Sequence, residues 1–171
     1  MSKLLFSIFM IFIITSFAYA EYECETKTIE TVVAVITKTR YCGDAQGFTL
    51  ETVEKKDSFS RDYILKYNGK SVLRLVDSEY FIIDLKKAFT IKGDKVVLLE
   101  LNTGGTACPA LYTFVTVKSD GTAKKTEDFG TCSDLPEVSR QADTIVVKMP
   151  KYRGTGKETY IYKDGNLIKG K

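Results

Sequence analysis

The stretch DYILKYNGKSVLRL, residues 62–75, decides the fold class. Two runs of aromatic, leucine and β-branched residues flank Asn68-Gly69, the dipeptide that most readily accepts the positive φ angles of a two-residue hairpin turn. Pairing Tyr67 with Lys70 sets Leu65 opposite Val72 and Ile64 opposite Leu73, so apolar partners match across the ladder. The same device recurs along the chain. Asp164-Gly165 joins residues 159–163 to 166–168 and places Ile161 against Ile168 and Tyr162 against Leu167. Gly93-Asp94 separates residues 88–92 from 95–101, and Ser119-Asp120-Gly121-Thr122 joins a strand over 111–118 to a return over 123–129. Residues 144–149 form another β-branched run, ended by Pro150.

Helix signals are scarce. Residues 78–88 and 135–142 are each long enough for one helical turn, yet neither has an apolar stripe at helical spacing. No fixed period marks a solenoid or a propeller. The expectation is an all-β protein, an antiparallel sheet of consecutive hairpins forming a sandwich or partly open barrel and stapled by disulfides. Residues 43–47 and 54–61 are polar enough to read as a loop or linker, but the piece before them is too small to fold alone, so residues 21–171 are expected to form a single domain.

Residues 1–20 read as a secretory signal peptide: Lys3, an apolar run from Leu4 to Phe17, then Ala18-Tyr19-Ala20 as a small-residue cleavage signature. The run is too short, and too soon followed by Glu21 and Glu23, for a membrane span. Glu21, Tyr22 and Glu23 ahead of Cys24 are not the small residues of a lipoprotein signal, so no stable membrane anchor is expected. These features point to a periplasmic or secreted protein. Cys24, Cys42, Cys108 and Cys132 all follow the cleavage site, and an even number of cysteines in an exported chain argues for disulfides. With Ser119 opposite Thr122, Cys108 falls opposite Ser133. One bulge or loop residue then brings it to Cys132, leaving Cys24 to pair with Cys42.

The chain has no histidine and no tryptophan. Without an imidazole, Ser-His-Asp and Cys-His nucleophiles, a histidine general base and the usual zinc sites are excluded, and no cofactor or metal site is indicated. Carboxylate catalysis of the glycosidase kind stays open, although no aromatic-flanked pair of acids stands out. Lys and Arg number 25 against 22 Asp and Glu, a balance that does not suit a nucleic-acid partner. Basic residues do gather toward the C-terminus, where Lys148, Lys151, Arg153, Lys157, Lys163, Lys169 and Lys171 face only Glu158 and Asp164.

The most unusual local composition is NTGGTACP, residues 102–109, set against FGTCSD, residues 129–134, by the expected Cys108–Cys132 bridge. Two Gly- and hydroxyl-rich loops pinned side by side would present backbone N–H groups and the side chains of Thr103, Thr106, Thr131, Ser133 and Asp134 to a small anion or a partner's loop. Tyr152 and Arg153, with Tyr160 and Tyr162, offer a second recognition surface. Gly104-Gly105 lacks the Lys-Ser or Lys-Thr ending of a phosphate-binding loop. The expected function is that of a non-enzymatic binding protein with a protein partner in the cell envelope, of the inhibitor or immunity type. The alternative is a carboxylate-dependent hydrolase of glycan or cell-wall material.

Overall fold

A computed structural model describes residues 23–41, 46–58 and 60–170. The signal-peptide segment and Cys42 lie outside the described residues, and so does the Cys24–Cys42 pairing. Among the described residues, thirteen strands follow one another in three antiparallel sheets, strands of one sheet lying beside their neighbours in the chain. The first sheet holds β1 (Glu23–Glu30), β2 (Ala34–Tyr41), β3 (Phe48–Lys55), β4 (Arg61–Tyr67) and β5 (Lys70–Ser78). The second holds β6 (Ile82–Ile91), β7 (Asp94–Asn102), β8 (Ala110–Val117) and β9 (Ala123–Lys125). The third holds β10 (Glu137–Gln141), β11 (Thr144–Pro150), β12 (Lys157–Lys163) and β13 (Asn166–Lys169). No sheet closes into a barrel, and the described residues contain no helix.

The sheets stack in chain order. Phe48, Leu50, Tyr63 and Leu65 of the first sheet pack against Ile83, Leu85, Val97, Leu99 and Leu101 of the second. On the other face of the second sheet, Phe89, Val96, Leu98 and Phe114 meet Ile145, Val147, Met149 and Tyr162 of the third. The middle sheet is therefore buried on both faces, which explains the unbroken apolar run from Val96 to Leu99 in β7. Each such side chain, removed from water, contributes on the order of 2 kcal/mol. A bulge at Lys86 keeps Leu85 and Ala88 on the face toward the first sheet while Phe89 and Ile91 face the third.

Several local expectations change. The Asn68-Gly69 turn pairs Tyr67 with Lys70, but a bulge then sets Leu65 opposite Leu73 and Ile64 opposite Arg74. This shift puts Leu73 and Leu75 on the core face beside Leu65 and Tyr63, where a bulge-free ladder would have sent one of each pair outward. The β6–β7 turn is Lys92-Gly93, both at positive φ, with Ile91 opposite Asp94. Ser119-Asp120-Gly121 forms a three-residue loop, closed by Gly121 N–H and Thr122 Oγ1 contacts to Lys118 and Asp120, and the added residue moves Val117 opposite Ala123. The return from it is a ladder only over Ala123–Lys125, with an isolated Tyr112–Phe129 bridge beyond. The two stretches read as possible helical turns fall largely in strands β6 and β10. Glu54 and Lys55 belong to β3, which is polar because its outer face meets solvent.

Because each sheet is a meander, alternate connections fall at opposite ends of the stack. At one end lie the short turns 68–69, 92–93, 119–121, 142–143 and 164–165. Lys92 ties three of them together, its ammonium lying 3.0 Å from Asp164 and 3.6 Å from Asp143. At the other end lie the connections 31–33, 56–60, 79–81, 103–109, 126–136 and 151–156. We call these the turn end and the loop end.

Candidate functional site at the loop end

The Cys108–Cys132 disulfide, with Cα atoms 4.4 Å apart, pins the 103–109 connection to the 126–136 connection. The three-residue turn at 119–121 shifts the ladder by one residue, the Tyr112–Phe129 bridge shifts it back, and the residues after Phe129 then bring Cys132 to Cys108. Within the first loop Thr103 donates its hydroxyl to the Cys108 carbonyl, and Gly104 N–H donates to Asn102 Oδ1 at 2.8 Å. Gly104 has φ +73°, and a Cβ there would lie 3.1 Å from that of Phe81, so a glycine is what lets the loop rest on this ring. Phe81 in turn lies under Arg61, whose guanidinium carbon is 4.4 Å from the ring centroid.

Thr103, Thr106, Thr131, Ser133, Asp134, Tyr152 and Arg153 all reach this end, in different states, whereas Tyr160 and Tyr162, expected beside Tyr152 on a recognition surface, are buried in the core between the second and third sheets, Tyr162 near the turn end. Thr131 is buried and donates to the Pro150 carbonyl at 2.6 Å, so its hydroxyl joins the second sheet to the third and does not face solvent. Ser133 is half-buried: its carbonyl lies 3.1 Å from the Tyr112 hydroxyl and its side-chain oxygen accepts from Leu135 N–H at 3.2 Å. Thr106, Asp134, Tyr152 and Arg153 are exposed, with the Arg153 guanidinium 5.6 Å from the Tyr152 ring centroid.

Beneath the loops lies a set of tyrosine–carboxylate contacts. The Tyr112 hydroxyl is 3.1 Å from Glu100, which also meets Lys86 at 3.1 Å. Burial, reinforced by Glu100, pushes the Tyr112 phenol far above its ordinary range, so it stays protonated and donates. Tyr80 donates to Asp128, which also meets Lys125 at 2.5 Å, and burial together with Asp128 raises the Tyr80 phenol likewise. Tyr160 donates within reach of Gly130 O and Glu158; burial and the Glu158 carboxylate push its phenol up to about 12. These contacts fix the loops to the sheets and leave the exposed side chains above them.

Sequence reasoning did not identify the apolar surface at this end. Val32, Val33, Phe81, Ile82, Leu135 and Tyr152 are exposed there, and Ile29 and Val76 lie within three residues of a loop-end connection. Among the exposed large hydrophobic side chains of the described residues, Ile168 alone lies elsewhere. The one signal in the sequence was Leu135, an apolar residue isolated between Ser133-Asp134 and Pro136.

Beside the loop end, where the first sheet overhangs the edge strand β6, a cleft of about 280 Å³ is lined by Thr37, Thr39, Thr52, Glu54, Arg61 and Asp84 among others. Arg61 Nη2 is 3.0 Å from Glu54 Oε1, and Arg61 and Tyr63 both donate to the Phe81 carbonyl. The basic C-terminal stretch is partly neutralised by its own neighbours: Lys157 pairs with Glu137, and Lys169 with Glu158 at 2.6 Å. No helix of the described residues is long and apolar enough to cross a membrane, and no cluster of metal-ligating side chains occurs among them. No protein-family model, no curated protein and no solved structure matches the chain.

Proposed function

We propose that this is an exported binding protein without catalytic activity, which captures a protein partner of the cell envelope through its loop end in the manner of an inhibitor or immunity-type protein. The observation that carries this reading is that exposed Phe81, Leu135 and Tyr152 all lie on loop-end connections, the one bearing Leu135 pinned by the Cys108–Cys132 bridge. Loops on a rigid scaffold, with aromatic and aliphatic anchors among polar neighbours, bind with little ordering cost. The absence of histidine supports a role in contact and not in turnover.

The test is capture from envelope extract by the oxidised protein, beside the triple variant T106A/L135S/Y152S. The reading expects an envelope hydrolase to be retained by the parent, its turnover to fall on complex formation, and the variant to lose at least tenfold in affinity at unchanged thermal stability. The competing hydrolase reading draws on Glu54 and Asp84 lining one cleft. Turnover of peptidoglycan or glycan by the protein alone, abolished by E54Q or D84N, would establish that reading and overturn ours.

A further inference from the structure

The outer face of the first sheet, turned away from the core, carries its charge in rows. Across the strands, the ladder aligns Lys27, Lys38, Glu51, Ile64 and Arg74; the next row toward the turn end is Glu25, Arg40, Thr49 and Lys66. The carboxylates in these rows are shared between cations. Glu25 meets Lys27 at 2.7 Å and Arg40 at 3.6 Å, and Glu51 lies between Lys66 at 2.8 Å and Lys38 at 3.1 Å. Burial opposes ionisation of Glu51, but the two ammonium groups outweigh it and hold the carboxyl below its ordinary value, so it stays charged and the cations around it remain in excess. With Lys55 beside Asp62 on the same face, the described side chains of these rows, Lys27, Lys38, Arg40, Lys55, Lys66 and Arg74 against Glu25, Glu51 and Asp62, carry an excess of positive charge.

Toward the loop end the rows become apolar, with Ile29 opposite Ile36 and Ile36 opposite Val53. They end in the β1–β2 turn, where Val32 is 92% and Val33 67% exposed. This tip is held in shape: Thr31 N–H donates to Ala34 O at 2.8 Å, Ala34 N–H to Thr31 Oγ1 at 2.9 Å, and Lys56 N–H to Val33 O at 3.0 Å. A cation stands beside it, because Lys56 reaches Glu30 at 2.6 Å.

We propose that this face adsorbs reversibly on an anionic phospholipid surface, with Val32 and Val33 entering the boundary between headgroups and acyl chains and the cations of the sheet lying against lipid phosphates. Charge complementarity selects the occupant. The cations are spread over five strands at the sheet's own spacing, about 5 Å across and 7 Å along, with no single focus, which suits a field of headgroups more than one acidic side-chain cluster. The adjoining apolar tip then has somewhere to go that is not another protein's pocket. Each cation near an anionic leaflet strengthens adsorption on the order of fivefold. The proposal is independent of partner capture by Phe81, Leu135 and Tyr152, and the failure of either leaves the other standing.

The chain has no tryptophan, so Val33→Trp places a single reporter at the tip. The experiment is flotation of the oxidised protein with vesicles of phosphatidylethanolamine and about one quarter phosphatidylglycerol, beside phosphatidylcholine vesicles, at low salt and at about 1 M salt, where screening is nearly complete. The proposal expects flotation with the anionic vesicles alone, loss at high salt, and a blue shift of the Val33→Trp emission with quenching by brominated lipid. It also expects at least tenfold weaker partition for K27Q/R40Q/R74Q and for V32S/V33S, whose exposed positions leave the melting temperature unchanged. No flotation, equal partition to both vesicles, an unshifted reporter, or a V32S/V33S variant that floats like the parent would each overturn it. So would binding of soluble polyphosphate by a protein that leaves the vesicles bare.

Discussion

At the turn end, strands are joined by connections in which Asn68, Lys92, Ala142, Asp164 and the adjoining glycines take positive φ, whereas the loop end has longer connections that hold Val33, Phe81, Leu135 and Tyr152 in solvent. The turn end is governed by backbone conformation: its residues are there because few others accept the dihedrals, and they set the starting register of the hairpins they close. The loop end leans more on side chains, although Gly104, Gly130 and Cys132 also take positive φ there. Its shape is kept by a disulfide, by buried hydroxyls such as that of Thr131, and by phenols donating to carboxylates. Segregation of this kind lets the exposed surface vary without disturbing strand pairing, because the two tasks fall on different residues.

The largest expected effect tests the loop end. C108S/C132S should cost about 3 kcal/mol, as expected for opening a loop of 24 residues, measured from the denaturation midpoint in urea. A loss below about 1 kcal/mol would mean that packing alone holds the loops. Next in size is a contrast between the two ends. Gly47, at φ +104° and with a Cβ position 2.4 Å from Asn68 Oδ1, should lose roughly 2 kcal/mol on replacement by Ala. Gly105, whose Cβ would make only an ordinary contact with Thr103, should stay within about 0.5 kcal/mol. Equal costs would erase the distinction between an end set by backbone and an end set by side chains.

The smallest effect is a pH dependence. The Tyr160 phenol is raised in the folded protein, so the stability it contributes is fully present below the ordinary tyrosine value near 10 and is lost as pH rises toward about 12. Ultraviolet titration of phenolate should therefore show Tyr160 ionising late, and Tyr160→Phe should make the alkaline limb of the stability curve shallower. An unchanged limb in that variant would place the alkaline sensitivity in other groups.

What sequence made legible was local. The Asp164-Gly165 hairpin has the expected register, with Ile161 opposite Ile168 and Tyr162 opposite Leu167, because a two-residue turn leaves no freedom between its flanks. Cys108 and Cys132 pair because hairpin geometry brings them close. The Asn68-Gly69 ladder departs from expectation only where the core selects Leu73 and Leu75, a preference set by the second sheet and not by the turn. β10 escaped notice because its turn at Ala142-Asp143 has no glycine to mark it. The stacking of three sheets was readable only indirectly, in the doubly buried run of β7. The loop-end apolar side chains were not readable, since Val32 or Phe81 in a sequence looks the same whether its neighbours cover it or water does.

The chain-ordered stacking has a consequence for synthesis. Since every strand pairs with its sequence neighbours, each meander can zip up as soon as its last residues emerge, and little loop-closure entropy delays it. The core faces wait for later chain: Phe48, Leu50 and Leu65 stay wet until residues 83–101 arrive, and Phe89, Leu98 and Phe114 of the finished middle meander until residues 144–162 cover them. That interval, when a finished sheet still lacks its second cover, is the time at which a nascent molecule is most exposed to sticking to its own kind.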